Sequence, residues 1–215
     1  MLGKLSVVTV AALVGPPGLA AQDFLDQFSY EGLGLAGVGI DVGRVASDRL
    51  TSEWSFGVRV DYGMIAPRVR VMLGASYFKG ELAPDEIAQF ESSLERVVRD
   101  PTGDAVIDIG RITWANLAAM VDLQYLFAAS ERFTSYVGIG FGIHLRNGAG
   151  AAIDNTFVED ALDTVAAAAS ATLGIEVAIT NLIHVMTEIR GGLSSELLLA
   201  SARWGVLYRL PGRGS

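Results

Sequence analysis

The chain has 215 residues, 51% of them apolar, with a mean hydropathy of +0.39 and a formal net charge of −8. That length fits one domain with a substantial sheet, and the acidic balance excludes nucleic acid, which needs a basic stripe. Cysteine is absent, which excludes a disulfide scaffold and thiolate chemistry; past the N-terminus no apolar run approaches the ~18–20 residues of a membrane helix.

Such a chain must either bury a large core or turn every second residue toward lipid. The N-terminus comes first. Residues 1–21 have the form of a secretory signal: Lys4, the apolar run Leu5–Val14, a Gly15-Pro16-Pro17-Gly18 breaker, then Leu19-Ala20-Ala21. Cleavage near Ala21 is expected, with 22–210 forming the folded domain and 211–215 a C-terminal extension.

After a polar and aromatic lead, Gly32–Val42 is Gly-rich and apolar on both parities and is expected to be a first strand, followed by a polar link at Arg44–Arg49. The second strand alternates sharply, with Trp54, Phe56, Val58, Val60 and Tyr62 against Ser55, Gly57, Arg59, Asp61 and Gly63. A tight link at Met64–Ala66 leads to a third, with Val69 to Tyr77 against Arg68, Arg70, Met72, Gly74 and Ser76. A hairpin of these two sets Asp61 opposite Arg68 and Arg59 opposite Arg70.

The long insertion Lys79–Val106 carries a helical pattern opening at Pro84, with Ile87, Phe90, Leu94 and Val97 on one face and acids at its start. An amphipathic helix on the mouth of the sheet is expected there. The fourth strand runs through Asp108–Phe127, with a membrane portion of about Thr113–Phe127, and the short turn Ala128–Arg132 joins it to a fifth, Phe133–Arg146. A second long link, Asn147–Asp163, has room for a brief helix. The sixth strand, Val165–Thr180, and the seventh, Ile183–Arg190, flank a tight turn. A link at Gly192–Glu196 precedes the last, Arg203–Leu210, where Trp204, Val206, Tyr208 and Leu210 oppose Arg203, Gly205, Leu207 and Arg209.

Eight alternating strands in a meander predict an all-β fold: an eight-stranded antiparallel up-and-down barrel with a helix in one long loop. Alternation alone leaves open which face meets lipid. The polar parity holds Arg59, Asp61, Arg68, Arg70, Asp122, Glu176, Glu188, Arg190, Arg203 and Arg209, both signs mixed as an internal paired network requires. On the apolar parity, Trp54, Tyr62, Tyr77, Tyr125, Phe133 and Tyr208 stand near strand ends, as in an interfacial aromatic girdle. The expected architecture is thus a transmembrane barrel with a polar lumen.

The last strand resembles the C-terminal assembly signal of bacterial outer-membrane barrels: Gly205, Tyr208 and Leu210 follow Arg203 at the required spacing, although Leu replaces the usual aromatic and Pro211–Ser215 continue past it. The chain as a whole resembles the small OmpA/OmpX/OmpW-type barrel superfamily, without a peptidoglycan-binding domain. That resemblance implies a bacterial outer-membrane location with both termini periplasmic, contact with the lipid bilayer and lipopolysaccharide-type lipids, delivery by the outer-membrane assembly machinery, and a monomer. A non-enzymatic structural or surface-interaction role is expected, with no cofactor. A narrow channel or carrier for small or hydrophobic solutes is the alternative, and a soluble barrel for a lipophilic ligand a weaker one.

Candidate chemistry is sparse. His144 and His184 share the polar parity but lie near opposite rims, too far apart for one metal site, and Ser194 and Ser195 have no base paired with them. The acids Asp154, Glu159, Asp160 and Asp163 match no ordered calcium loop. The mixed lumen charges are expected to act as a plug, or as a gate that opens when pairs exchange; Asp61 with Arg68 or Arg70, and Glu188 with Arg203, are the expected partners.

Overall fold

A computed structural model describes residues 27–97, 110–128, 130, 132–150, 164–195 and 197–211. The signal-like segment 1–21, the acids of 151–163 and the last four residues lie outside this set. Eight strands occur in chain order: β1 (Leu33–Ser47), β2 (Glu53–Ala66), β3 (Val69–Glu81), β4 (Thr113–Ala128), β5 (Phe133–Ala149), β6 (Thr164–Ala178), β7 (Ile183–Ser194) and β8 (Leu197–Arg209). One helix, α1 (Pro84–Val97), follows β3 and begins at the expected proline with Asp85 and Glu86 in its first turn, where carboxylates favour the helix dipole.

Each strand pairs antiparallel with the next, and β1 closes on β8 from Gly37 opposite Arg209 to Ser47 opposite Leu199. Closure leaves no strand edge to be capped, so every backbone amide along the wall can be paired within it. The three short connections 67–68, 129–132 and 179–182 share one end with the start of β1 and the end of β8; the long connections 82–112 and 150–163 lie at the other. We call these the turn end and the loop end.

Several boundaries differ from those the sequence suggests. The first strand extends through Arg44 to Ser47, so the link becomes 48–52. The seventh strand runs on through Gly191 and Gly192 to Ser194, and the eighth starts at Leu197. The glycines suggest a break, but ladder partners on both sides override that local preference.

The β2–β3 register is also shifted. Gly63, at φ +87°, interrupts the pairing between Asp61 and Met64, and its amide donates to Asp61 Oδ1 at 2.8 Å. Asp61 therefore faces Met72, Arg59 faces Gly74, and Arg70 faces Met64. Arg68 is thrown into the turn at φ 66°, where its side chain is exposed. It is not a lumen residue, contrary to expectation.

Candidate functional site

Burial in this molecule is inverted. Asp61 and Glu188 are 0% and 1% exposed, whereas Ile40 and Phe141 are 67% and 59% exposed. The apolar parity forms a continuous outer band: Val38, Ile40, Phe56, Val58, Val121, Phe141, Leu173, Ile189 and Val206 all point away from the lumen. Such a surface is stable only against hydrocarbon. A lumen lined with ions is equally unsuited to a lipophilic ligand, which removes the soluble-barrel alternative.

The proposed girdle residues Trp54, Tyr62, Tyr77, Tyr125, Phe133 and Tyr208 are all on this outer surface. At the loop end Tyr77 stands beside Leu117; at the turn end are Tyr125 and Phe127, their rings edge-to-face with centroids 4.8 Å apart. From Leu117 to Phe127 the strand has 11 residues, within the ~9–11 a tilted strand needs to cross a bilayer. Trp54 also carries the Arg44 guanidinium 5.2 Å from its ring centroid, an amphipathic pairing suited to a headgroup region.

Inside, the charges gather in two layers. Near the turn end Arg70 donates to Glu176 at 2.7 Å and to the Gln124 side-chain oxygen at 2.8 Å, and lies 3.6 Å from Asp61. Arg209 donates to Asp61 and, at 2.8 Å, to Glu176, whose other contact is His184 Nδ1 at 2.7 Å. Asp61 and Glu176 thus balance Arg70 and Arg209.

Deeper in the lumen, Arg59 donates to Asp41 at 2.7 Å and, with both terminal nitrogens, to Glu188 at 2.9 and 3.1 Å. Arg190 donates to Asp122 at 2.6 Å, to Glu188 at 3.3 Å and to Ser170 at 3.3 Å. Arg203 completes the layer; it reaches the Ser76 hydroxyl at 3.4 Å and stands 3.9 Å from Asp41. Asp41, Asp122 and Glu188 therefore balance Arg59, Arg190 and Arg203. Charge neutrality within each layer is what makes burial of so many ions tolerable.

Tyr136 joins the layers. It is 1% exposed, its hydroxyl donates to Glu188 at 3.0 Å, and Arg70 lies 5.5 Å over its ring. Space for it comes from Gly174 on the adjacent strand, where an added Cβ would fall 2.3 Å from the ring. Asp41 is housed in the same way between Gly57 and Gly205, whose Cβ positions would lie 2.7 and 3.0 Å from its side chain. Gly205 thus has a packing duty whatever its part in the assembly signal expected from sequence, while Leu210, just past β8, donates its amide to the Ala36 carbonyl at 2.8 Å.

One expected pairing changes, and of the two partners expected for Asp61 only Arg70 is found. Glu188 and Arg203 are register partners on β7 and β8, but Glu188 bonds Arg59 and Arg190 instead. Asp61 contacts Arg70 and Arg209, not Arg68. Asp41, Gln124, Asn116 and Tyr136 were not anticipated as members of the network. For Asp41 there was a signal, since Gly39, Asp41 and Gly43 share a parity opposite Val38, Ile40 and Val42.

Above the second layer, the loop end is covered by an apolar cluster of Val45, Leu50, Phe78 and Leu197, with Leu82, Trp114 and Leu199 against it. His144 sits below this lid with Nδ1 2.9 Å from Asn116 Oδ1, well away from His184 in the turn-end layer. Among the described residues, no group of three or more His, Cys, Asp or Glu is arranged to hold a metal ion.

No protein-family model and no curated protein matches the sequence. Solved structures do. Neisserial surface protein A (NspA) superposes with a TM-score of 0.58 at 10% identity, covering 84% of this chain and 100% of its own. The chain has the fold of the small eight-stranded outer-membrane barrels. Ail, the attachment invasion locus protein of Yersinia pestis, in complex with the heparin analogue sucrose octasulfate, gives 0.50 at 11% identity over 83% of this chain and 99% of its own. At these identities the likeness concerns the barrel and its strand order; the ion layers rest on this chain's own residues.

Proposed function

We propose that the protein is a non-enzymatic barrel of the bacterial outer membrane, closed along its lumen, that serves through its wall and its loop end. The carrying observation is the burial of Asp61, Gln124, Tyr136 and Glu188, each 0–1% exposed. Side chains that a water-sized sphere cannot touch leave no water-filled passage at their level. The alternative of a narrow channel requires these pairs to part.

In this reading the termini, which share the end with short turns, are periplasmic, as is usual for such barrels. The Arg203-Gly205-Tyr208-Leu210 motif supports insertion by the outer-membrane assembly machinery. Closed pairing on every strand supports a monomer among lipopolysaccharide-type lipids. Binding of a heparin-like polyanion, as Ail does in its complex, suits this chain poorly. Its two long loop-end connections, 82–112 and 150–163, carry eleven acids against three arginines. A cationic partner, or lipid phosphates bridged by divalent cations, fits that charge better.

Single-channel recording on the full chain in planar bilayers tests closure. The wild type is expected to show no steady conductance; a stable open level would overturn the closed reading in favour of the channel. Retarded or accelerated gel migration between unheated and boiled samples tests the membrane barrel separately.

A further inference from the structure

Between the second ion layer and the apolar lid lies a small cavity of about 40 Å³. Its polar lining consists of Ser76, Asn116, His144, Ser170, Arg190, Ser201 and Arg203, and no carboxylate is among the residues that bound it. The two arginines on its wall belong to the second ion layer, but none of that layer's carboxylates lines it.

Two buried donors on its wall have no partner: Arg203 Nε and Asn116 Nδ2. Asn116 is 3% exposed, and its carbonyl oxygen is already engaged by His144, which leaves the amide nitrogen for the cavity. Arg203 differs from the other arginines of the two ion layers. Arg59, Arg70, Arg190 and Arg209 each donate to a carboxylate at 2.8 Å or less, whereas the nearest carboxylate oxygen to Arg203 is 3.9 Å away. The acid it approaches, Asp41, gives its Oδ2 to Arg59 at 2.7 Å and holds its Oδ1 at 3.9 Å from an Arg203 terminal nitrogen, on the side of the guanidinium that Nε does not serve.

A buried guanidinium whose Nε has no acceptor, beside an unpartnered amide, is costly unless something accepts from both. The chamber's size limits the candidates. At roughly 10–15 Å³ per water-sized occupant it holds about three, enough for a halide and its residual water but not for a phosphate ester or sugar. We propose that this cavity binds a small inorganic anion of the halide class, held by Arg203 Nε and Asn116 Nδ2, with the Ser76 hydroxyl as a further ligand. The anion then supplies the acceptor that Arg203 Nε lacks within its layer. The apolar lid of Val45, Phe78 and Leu199 keeps it from bulk water, and the site exists whether or not the barrel conducts.

The test uses bromide as the probe on the refolded full chain in detergent. Anomalous diffraction from crystals in sodium bromide is expected to show a peak in this cavity within hydrogen-bonding reach of both nitrogens. The peak is expected to vanish in Asn116→Leu and in Arg203→Met. Because Arg203→Met also disturbs the ion layer, Asn116→Leu and Ser76→Ala serve as the milder variants. In solution, the midpoint of thermal unfolding is expected to rise in sodium bromide over sodium gluconate at equal ionic strength, and the difference to disappear in Asn116→Leu. Water alone in the wild-type cavity, a peak that survives both Asn116→Leu and Arg203→Met, or equal midpoints in the two salts would each overturn the proposal.

Discussion

The contact between Gly174 and Tyr136 offers a sharp test of how the lumen is packed. In Gly174→Ala the new methyl falls 2.3 Å from Tyr136 Cζ and 2.4 Å from its hydroxyl oxygen. Carbon atoms in contact sit ~3.5–4.0 Å apart, so the ring must retreat by about 1 Å in a space that is already filled. Overpacking of this kind costs about 1–3 kcal/mol. Displacement also breaks the hydrogen bond from Tyr136 to Glu188, a bond to a charged group worth about 1.5–3 kcal/mol. The expected loss is therefore about 3 kcal/mol or more, roughly a hundredfold or greater shift in the folding equilibrium. Reversible urea titration in lipid vesicles, with the gel-migration shift as the readout of folding, measures it. The same glycine change is then made in a Tyr136→Leu background, where the ring is absent and the added methyl has room. There it is expected to cost under about 1 kcal/mol, the coupling appearing as strong non-additivity. Equal costs in both backgrounds would show that Gly174 does not make space for Tyr136.

Other consequences can be checked in the same way. Glu188→Ala removes the acceptor for Arg59, Arg190 and Tyr136 together, and equilibrium unfolding is expected to show a loss of about 3–5 kcal/mol, with Glu188→Gln milder. If wild-type protein conducts steadily and Glu188→Ala or Arg203→Ala leaves the conductance unchanged, these pairs are not a gate. Arg70→Ala and Arg68→Gly separate the two arginines that sequence places on one face. The first is expected to destabilise strongly, and the second to be neutral or to stabilise by up to about 1 kcal/mol, because Arg68 holds a left-handed backbone with an exposed side chain. A large loss in Arg68→Gly would return Arg68 to the lumen. Phe141→Arg, on the outer face midway between the aromatic belts, is expected to cost about 2–4 kcal/mol in bilayers. A neutral result there would mean that this face meets water.

Much of the architecture was legible because it rests on a local rule. In an extended chain successive side chains point to opposite faces, so the alternation of Trp54 to Tyr62, or of Phe133 to Leu145, declares both the strand and its two environments. Membership of the polar face needed only parity, which is why Arg59, Asp122, Glu176 and Arg190 could be placed from residue order. Arg68 escaped that rule because Gly63 and the turn broke the count between the strands.

Partner choice obeys a different geometry. In a narrow closed barrel the lumen is crossed by a single long side chain, so charges meet across the circle as readily as along a hairpin. Arg59 on β2 finds Glu188 on β7, and Arg70 on β3 finds Glu176 on β6, pairs separated by 129 and 106 residues. No hairpin reading contains those contacts. Sequence by itself determined that the chain makes strands with one apolar and one charged face. Only closure into a ring, with the glycines that admit Asp41 and Tyr136, decided which charges neutralise one another and which arginine lies beside a donor-lined cavity.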